Sequence, residues 1–180
     1  MEITFIVEDG TGLADATSYI TIDEMKQYWF NLGRDFDSLS DSDIERLLNQ
    51  STSYIDSNYS FPGYRATSIQ GLEWIRSGAY YTDGYEIDED VIPPEVKKAV
   101  AEMAYLLNDG ETPEAIISKS GKVIAESSQV DVIKESFKYE EGSILYSDIY
   151  TSVDNILYRL TGGVSNNFVI KLIMTGGESP

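Results

Sequence analysis

The sequence predicts a mainly α fold: a small helical bundle of about four helices, with an inserted β-hairpin and an extended, strand-prone C-terminal tail. Three observations carry this expectation. Four stretches repeat apolar residues at helical spacing behind hydroxyl or proline start signals. Residues 119–141 change to a β-type pattern, and the chain closes on a short run that is apolar on both faces. At 180 residues the chain suits one domain of ordinary size plus a tail, divided here as 1–163, which holds the hairpin, and 164–180, an extended arm. A hydrophobic content of 42% argues against disorder of the whole chain.

Ile3, Phe5 and Val7 begin an extended arm, which Asp9-Gly10-Thr11-Gly12 turns. A glycine-rich loop invites a phosphate-cradle reading, but no lysine follows in the required position, so a plain turn is expected. Thr21 and Glu24 fit a capping box for the first helix, with Ile22, Met25, Tyr28, Trp29 and Leu32 on one face and Gly33 at its end. Trp29 reads as core or subunit contact rather than as a base-stacking platform. Ser40 caps a second helix, whose face carries Ile44, Leu47, Leu48, Ile55 and Tyr59. The acids Asp41, Asp43 and Glu45 sit in its first turn, where the helix dipole explains them better than a metal does.

Pro62-Gly63 breaks that helix, and a short apolar segment around Leu72, Trp74 and Ile75 follows. Asp83-Gly84 reads as a turn between two short arms. The acids Asp83, Glu86, Asp88, Glu89 and Asp90 fail calcium-loop spacing and read as a solvated loop. Pro93-Pro94 starts a third helix with the stripe Val96, Ala99, Val100, Met103 and Leu107, expected to pack centrally on the second. Beyond the Glu111-Thr112-Pro113 hinge lie the hairpin and then a fourth helix. That helix is read from Thr151 and Asp154 and from the stripe Val153, Ile156, Leu157 and Leu160, closed by Gly162-Gly163.

Composition narrows the chemistry. Thirteen basic against 31 acidic residues give a net charge of −18, which on average repels nucleic acid. Histidine and cysteine are both absent, which excludes disulfides, Ser-His-Asp and Cys-His catalysis and the Cys/His zinc sites. Neither a signal peptide nor an apolar span of membrane length is apparent, so the expectation is a soluble protein, intracellular when made. No catalytic residue, metal ligand or cofactor is expected.

The tail residues Phe168, Val169, Ile170, Leu172, Ile173 and Met174 would be an aggregation hazard if left free. They suit either a last strand paired within the domain or a strand donated to a partner or neighbouring subunit.

The opening Val7-Glu8-Asp9-Gly10-Thr11-Gly12-Leu13-Ala14-Asp15-Ala16-Thr17-Ser18-Tyr19 resembles a tailed-phage protein family catalogued as DnaT-like single-stranded-DNA-binding proteins. So do Tyr54-Ile55-Asp56, Phe61, Gly63, Arg65, Gln70, Leu72, Trp74, Arg76, Gly84, Ile92-Pro93 and the run from Lys97 to Glu102. Tyr150 and Val153-Asp154-Asn155-Ile156-Leu157 resemble its final short helix. The resemblance covers roughly residues 5–160. It departs at Ile75, where the family tends to place proline, and in the tail after Gly163.

The family is similar in helix order to phage head-tail connector (adaptor) proteins. That similarity implies a structural virion protein of the neck: a dodecameric homo-oligomeric ring docked on the portal protein. It further implies tail or nozzle proteins as partners, and genomic DNA passing the lumen without tight binding and leaving through it at ejection. The expected location is the virion neck below the portal vertex, after synthesis in the host bacterial cytoplasm. On this reading the tail residues touch portal or neighbour, and Trp29, Gln70, Leu72, Trp74, Arg76 and Pro93 are structural anchors. The rival is a single-stranded-DNA-binding replication protein, favoured by 13 tyrosines and two tryptophans. A carboxylate-based hydrolase or magnesium nuclease is the third reading, for which no acid pair can be named.

Overall fold

The computed structural model describes residues 3–110 and 151–162. The expected hairpin at 119–141 and the tail with Phe168, Val169, Ile170, Leu172, Ile173 and Met174 lie outside the described residues.

The architecture is mainly α, with four helices and two small two-stranded sheets. α1 spans Ile22–Asn31, and Thr21 accepts from the Glu24 amide while Glu24 reaches back to the Thr21 amide. α2 spans Asp41–Asn58 behind a Ser40–Asp43 capping box of the same kind. α3 runs Pro94–Asn108 with Pro93 buried at its N-cap, and α4 runs Thr151–Thr161. The first two helices each satisfy orphan amides reciprocally, and proline at the third helix's first position removes one donor outright.

β1 (Tyr64–Arg65) pairs antiparallel with β2 (Arg76–Ser77), placing Tyr64 opposite Ser77. β3 (Ala79–Tyr80) pairs antiparallel with β4 (Glu86–Ile87) across the Asp83-Gly84 turn. The arm at residues 3–7 makes only an isolated parallel bridge, Val7 to Ser18.

α3 is the central element and packs against α1, α2 and α4. Its small residues Ala99, Ala101 and Ala104 are all buried, which lets neighbouring backbones approach closely. Met25 and Trp29 of α1, Ile44, Leu48 and Ile55 of α2, and Val153, Leu157 and Leu160 of α4 close over it. Trp29 adds a directional tie, donating its indole N–H to Ala101 O at 2.8 Å while packing edge-on to Tyr105. The Arg34 guanidinium then clamps Glu102 with two bonds, 2.7 and 2.9 Å, and stacks over Tyr105. Burial pushes the Glu102 carboxyl up, but the Arg34 bonds and charge outweigh it and hold the group below its ordinary value.

Trp74 is fully buried against Phe61, ring centroids 5.5 Å apart, in the irregular loop between α2 and β2. The Trp74–Ile75 peptide is cis. Truncating so large a buried side chain leaves a cavity the loop cannot fill. Trp74→Ala is expected to lower the unfolding free energy by about 3–5 kcal/mol in urea titrations. A loss below about 1 kcal/mol would contradict its placement in the core.

Candidate functional site

The glycine-rich loop carries no room for an external anion, because its anion is internal. Glu8 is buried, and its carboxylate accepts from the amides of Gly10 (3.0 Å), Gly12 (2.8 Å) and Leu13 (2.9 Å). Gly10 has φ 96°, and a Cβ there would lie 2.3 Å from Asp90 O, so glycine is required. The phosphate-cradle alternative therefore fails for a reason the sequence did not display: the residue preceding the turn occupies the amides.

Several of the clustered acids have local partners. Asp43 pairs with Ser40 and Arg46, Asp41 with Lys26, Asp83 with Arg159, and Glu89 with Ser77. Among the described residues no group of three His, Cys, Asp or Glu is placed to hold a metal ion.

The anchors named from sequence converge on one loop. Gln70 is buried; its amide donates to the carbonyls of Leu72 (2.8 Å) and Ile75 (3.0 Å), and its oxygen accepts from the Thr67 amide. Arg76 donates to Pro62 O, Gly63 O and both the carbonyl and carboxylate of Glu73. Leu72 is buried beside them, whereas Trp29 and Pro93 belong to the bundle.

Sequence reasoning did not find the polar junction behind this loop. The Tyr19 hydroxyl donates to Asp56 Oδ1 at 2.7 Å and accepts from the Trp74 amide at 3.0 Å, while Asp56 Oδ2 accepts from the Glu73 amide. Burial pushes the Asp56 carboxyl up to about 6, against the lowering effect of those hydrogen bonds. Burial, with the Asp56 charge behind it, also raises Tyr19 well above its ordinary value.

In front of the junction lies a cleft of about 350 Å³ lined by Thr17, Asn49, Thr52, Ser53, Asp56, Ser57, Gly71 and Leu72. Five of these come from α2 at positions i, i+3, i+4, i+7 and i+8, a polar stripe opposite the apolar one. The available sequence signal was the run Asn49-Gln50-Ser51-Thr52-Ser53, poor helix formers in mid-helix.

Exposed tyrosines lie on and beside the two small sheets. Tyr64 is 80% exposed and Tyr85 72%, with Tyr80 also exposed between them in sequence. Cations are scarce. Lys26, Arg34, Arg46, Arg65, Arg76, Lys97 and Arg159 each form an ion pair, and among the described residues Lys98 alone does not.

The fold and these surfaces define a small helical domain with a polar cleft and exposed tyrosines. A protein-family model described as "Putative DnaT-like ssDNA binding protein" matches residues 3–174, and the chain belongs to that family. No curated protein and no solved structure shows a significant match.

This membership corrects the connector expectation. The match points to a DnaT-like single-stranded-DNA-binding family, and nothing in it indicates a head-tail connector, a dodecameric ring, portal, tail or nozzle partners, or passive passage of DNA through a lumen. The connector expectation rests on a similarity of helix order, and a shared order of helices does not carry a function with it. In the fold many of the acidic charges serve local caps and ion pairs, as at Thr21–Glu24, Ser40–Asp43 and Arg34–Glu102. The match also runs on to 174, so the tail from Phe168 to Met174 falls within the family pattern rather than beyond it.

Asp56 generates a pH prediction. Its folded value, about 6, lies above the ordinary 3.8, so the native state binds this proton more tightly than the unfolded chain. The contribution is fully present below about pH 4 and is lost as pH rises through about 6. Denaturant titrations from pH 4.5 to 7 should show Asp56→Asn gaining on the wild type as pH rises, by about 2 kcal/mol. Parallel profiles for the two proteins would contradict the buried-carboxyl assignment.

Proposed function

We propose that this protein binds single-stranded DNA, and that stacking on exposed aromatic rings contributes more than phosphate neutralisation. The observation that carries the reading is family membership across residues 3–174. The exposed rings of Tyr64, Tyr85 and Tyr80 support it, because every base offers a π-face to an aromatic platform. Arg65, adjacent to Tyr64, and Lys98 are the described cations nearest to being available, Arg65 being held by the Gln70 carbonyl and by Glu73 at 4.0 Å. The lysines at 119, 122, 134, 138 and 171 lie outside the described residues.

A duplex hides its base faces within the stack and presents mainly phosphate, which an acidic protein repels. Single strands are therefore the favoured form. The reading assigns no chemical step to the chain, in keeping with a sequence that lacks both histidine and cysteine.

Fluorescence anisotropy with a mixed-sequence single strand and its duplex, at low and at physiological salt, tests the proposal. The single strand should bind more tightly than the duplex at both. Tyr64→Ala should weaken single-strand binding by about 5- to 150-fold, the range of one lost stacking contact. Absence of single-strand binding at low salt, or equal affinity for duplex, would overturn the reading.

A further inference from the structure

Among the described residues Tyr64 is the most exposed large apolar side chain, and sheet geometry fixes what stands beside it. It lies directly opposite Ser77 in the β1–β2 pair. Directly opposite residues of an antiparallel pair turn their side chains to the same face, with Cβ atoms about 5 Å apart. The Ser77 hydroxyl donates to Glu89 Oε1. Glu89 is itself exposed, so a carboxylate open to solvent stands one side chain away from the Tyr64 ring.

That carboxylate is held in place. Glu89 sits on a turn closed by the Val91 amide, which donates to Asp88 O at 3.1 Å. The next residue, Asp90, sets its carbonyl against Gly10, where a Cβ would lie 2.3 Å from Asp90 O. Gly10 is fixed in turn by the Glu8 carboxylate. Among the described residues Glu89 takes the Ser77 hydroxyl alone, and only on Oε1. A carboxylate has about four acceptor positions, so most of its capacity faces outward. The one hydrogen of the Ser77 hydroxyl is already directed at Glu89 and does not compete.

Bases differ in what they show such a group. Guanine carries two adjacent donors on its Watson–Crick edge, the ring N1–H and the N2 amino group, which match the two oxygens of one carboxylate. Adenine and cytosine carry an amino group beside a bare ring nitrogen, and thymine carries one N–H between two carbonyl oxygens. Each of these three turns lone pairs toward the carboxylate as well as a donor.

We infer that Tyr64 and Glu89 form one base-reading site that favours guanine, the base stacking on the Tyr64 ring and donating N1–H and N2–H to the Glu89 carboxylate. The inference rests on the single-strand-binding reading and deepens it, from any base to a preferred one. Stacking is open to every base, because each has a π-face. The acidic side chain, which weakens contact with phosphate, is the element that selects among them.

The test is fluorescence anisotropy of the full chain at neutral pH with single strands of four TTG repeats, four TTA repeats, and the TTG strand with hypoxanthine in place of guanine. Adenine controls for purine stacking, and hypoxanthine lacks only the N2 amino group. The guanine strand should bind about 3- to 10-fold more tightly than the adenine strand, with hypoxanthine between them, the range of one or two hydrogen bonds. Glu89→Gln keeps an acceptor for Ser77 but brings an amide donor to the base, and should bring the guanine and adenine strands to within about 2-fold of each other. Because Glu89 is exposed, the unfolding midpoint of this variant should match that of the wild type. Glu86→Gln removes the same charge from β4 and should leave the guanine-to-adenine ratio unchanged. Equal binding of the guanine and adenine strands by the wild type, a ratio that survives Glu89→Gln, or one that falls equally in Glu86→Gln, overturns the guanine site alone. Failure to bind any of the three strands or a mixed-sequence strand overturns the single-strand reading and the site with it.

Discussion

Between Phe61 and Ser77 the backbone runs through the protein with almost no regular secondary structure, yet Phe61, Gln70, Leu72, Trp74, Ile75 and Arg76 are buried. Buried amides and carbonyls must find partners, and here side chains supply them. Gln70 spans two carbonyls, Arg76 gathers three, and the Tyr19–Asp56 pair takes the amides of Trp74 and Glu73. Removing one such partner leaves a desolvated group behind, at a cost of about 1–3 kcal/mol. The loop closes one side of the bundle, and through Asp56 it is tied to α2. The floor of the cleft is built from that tie.

What the sequence made legible was whatever depends on local order. Thr21–Glu24 and Ser40–Asp43 announce their helices because a capping box is written in four consecutive residues. Pro94 and the small residues of α3 announce the central helix in the same way. The Asp83-Gly84 turn joins β3 to β4 as the dipeptide suggests. Pairings that cross long stretches of chain left no such trace. Tyr19 and Asp56 are 37 positions apart, and neither looks unusual alone. Glu8 sits in the recognisable opening motif, but only its burial shows that it organises the glycines that follow.

Composition misled where it was asked to act as geometry. A charge of −18 is a property of the whole chain and says nothing about which face carries it. Placed in the fold, Glu24 serves Thr21 and Lys97, and Glu95 serves Tyr81 and Arg159. The tyrosines divide similarly. Tyr19 and Tyr59 are core residues with carboxylate partners, while Tyr64 and Tyr85 stand in solvent. An aromatic count cannot separate a core from a platform.

The turn that opens the chain has a consequence for the cleft beside α2. Loops that gather several amides around an anion often depend on that anion for their shape, and drift when it leaves. In this protein the anion is Glu8, covalently attached and always at full occupancy. The arm that follows the same path supplies Thr4 O to Asn49 and Ile6 to Thr17, two residues of the cleft wall. Two residues of the cleft wall are thereby held by the chain's own backbone.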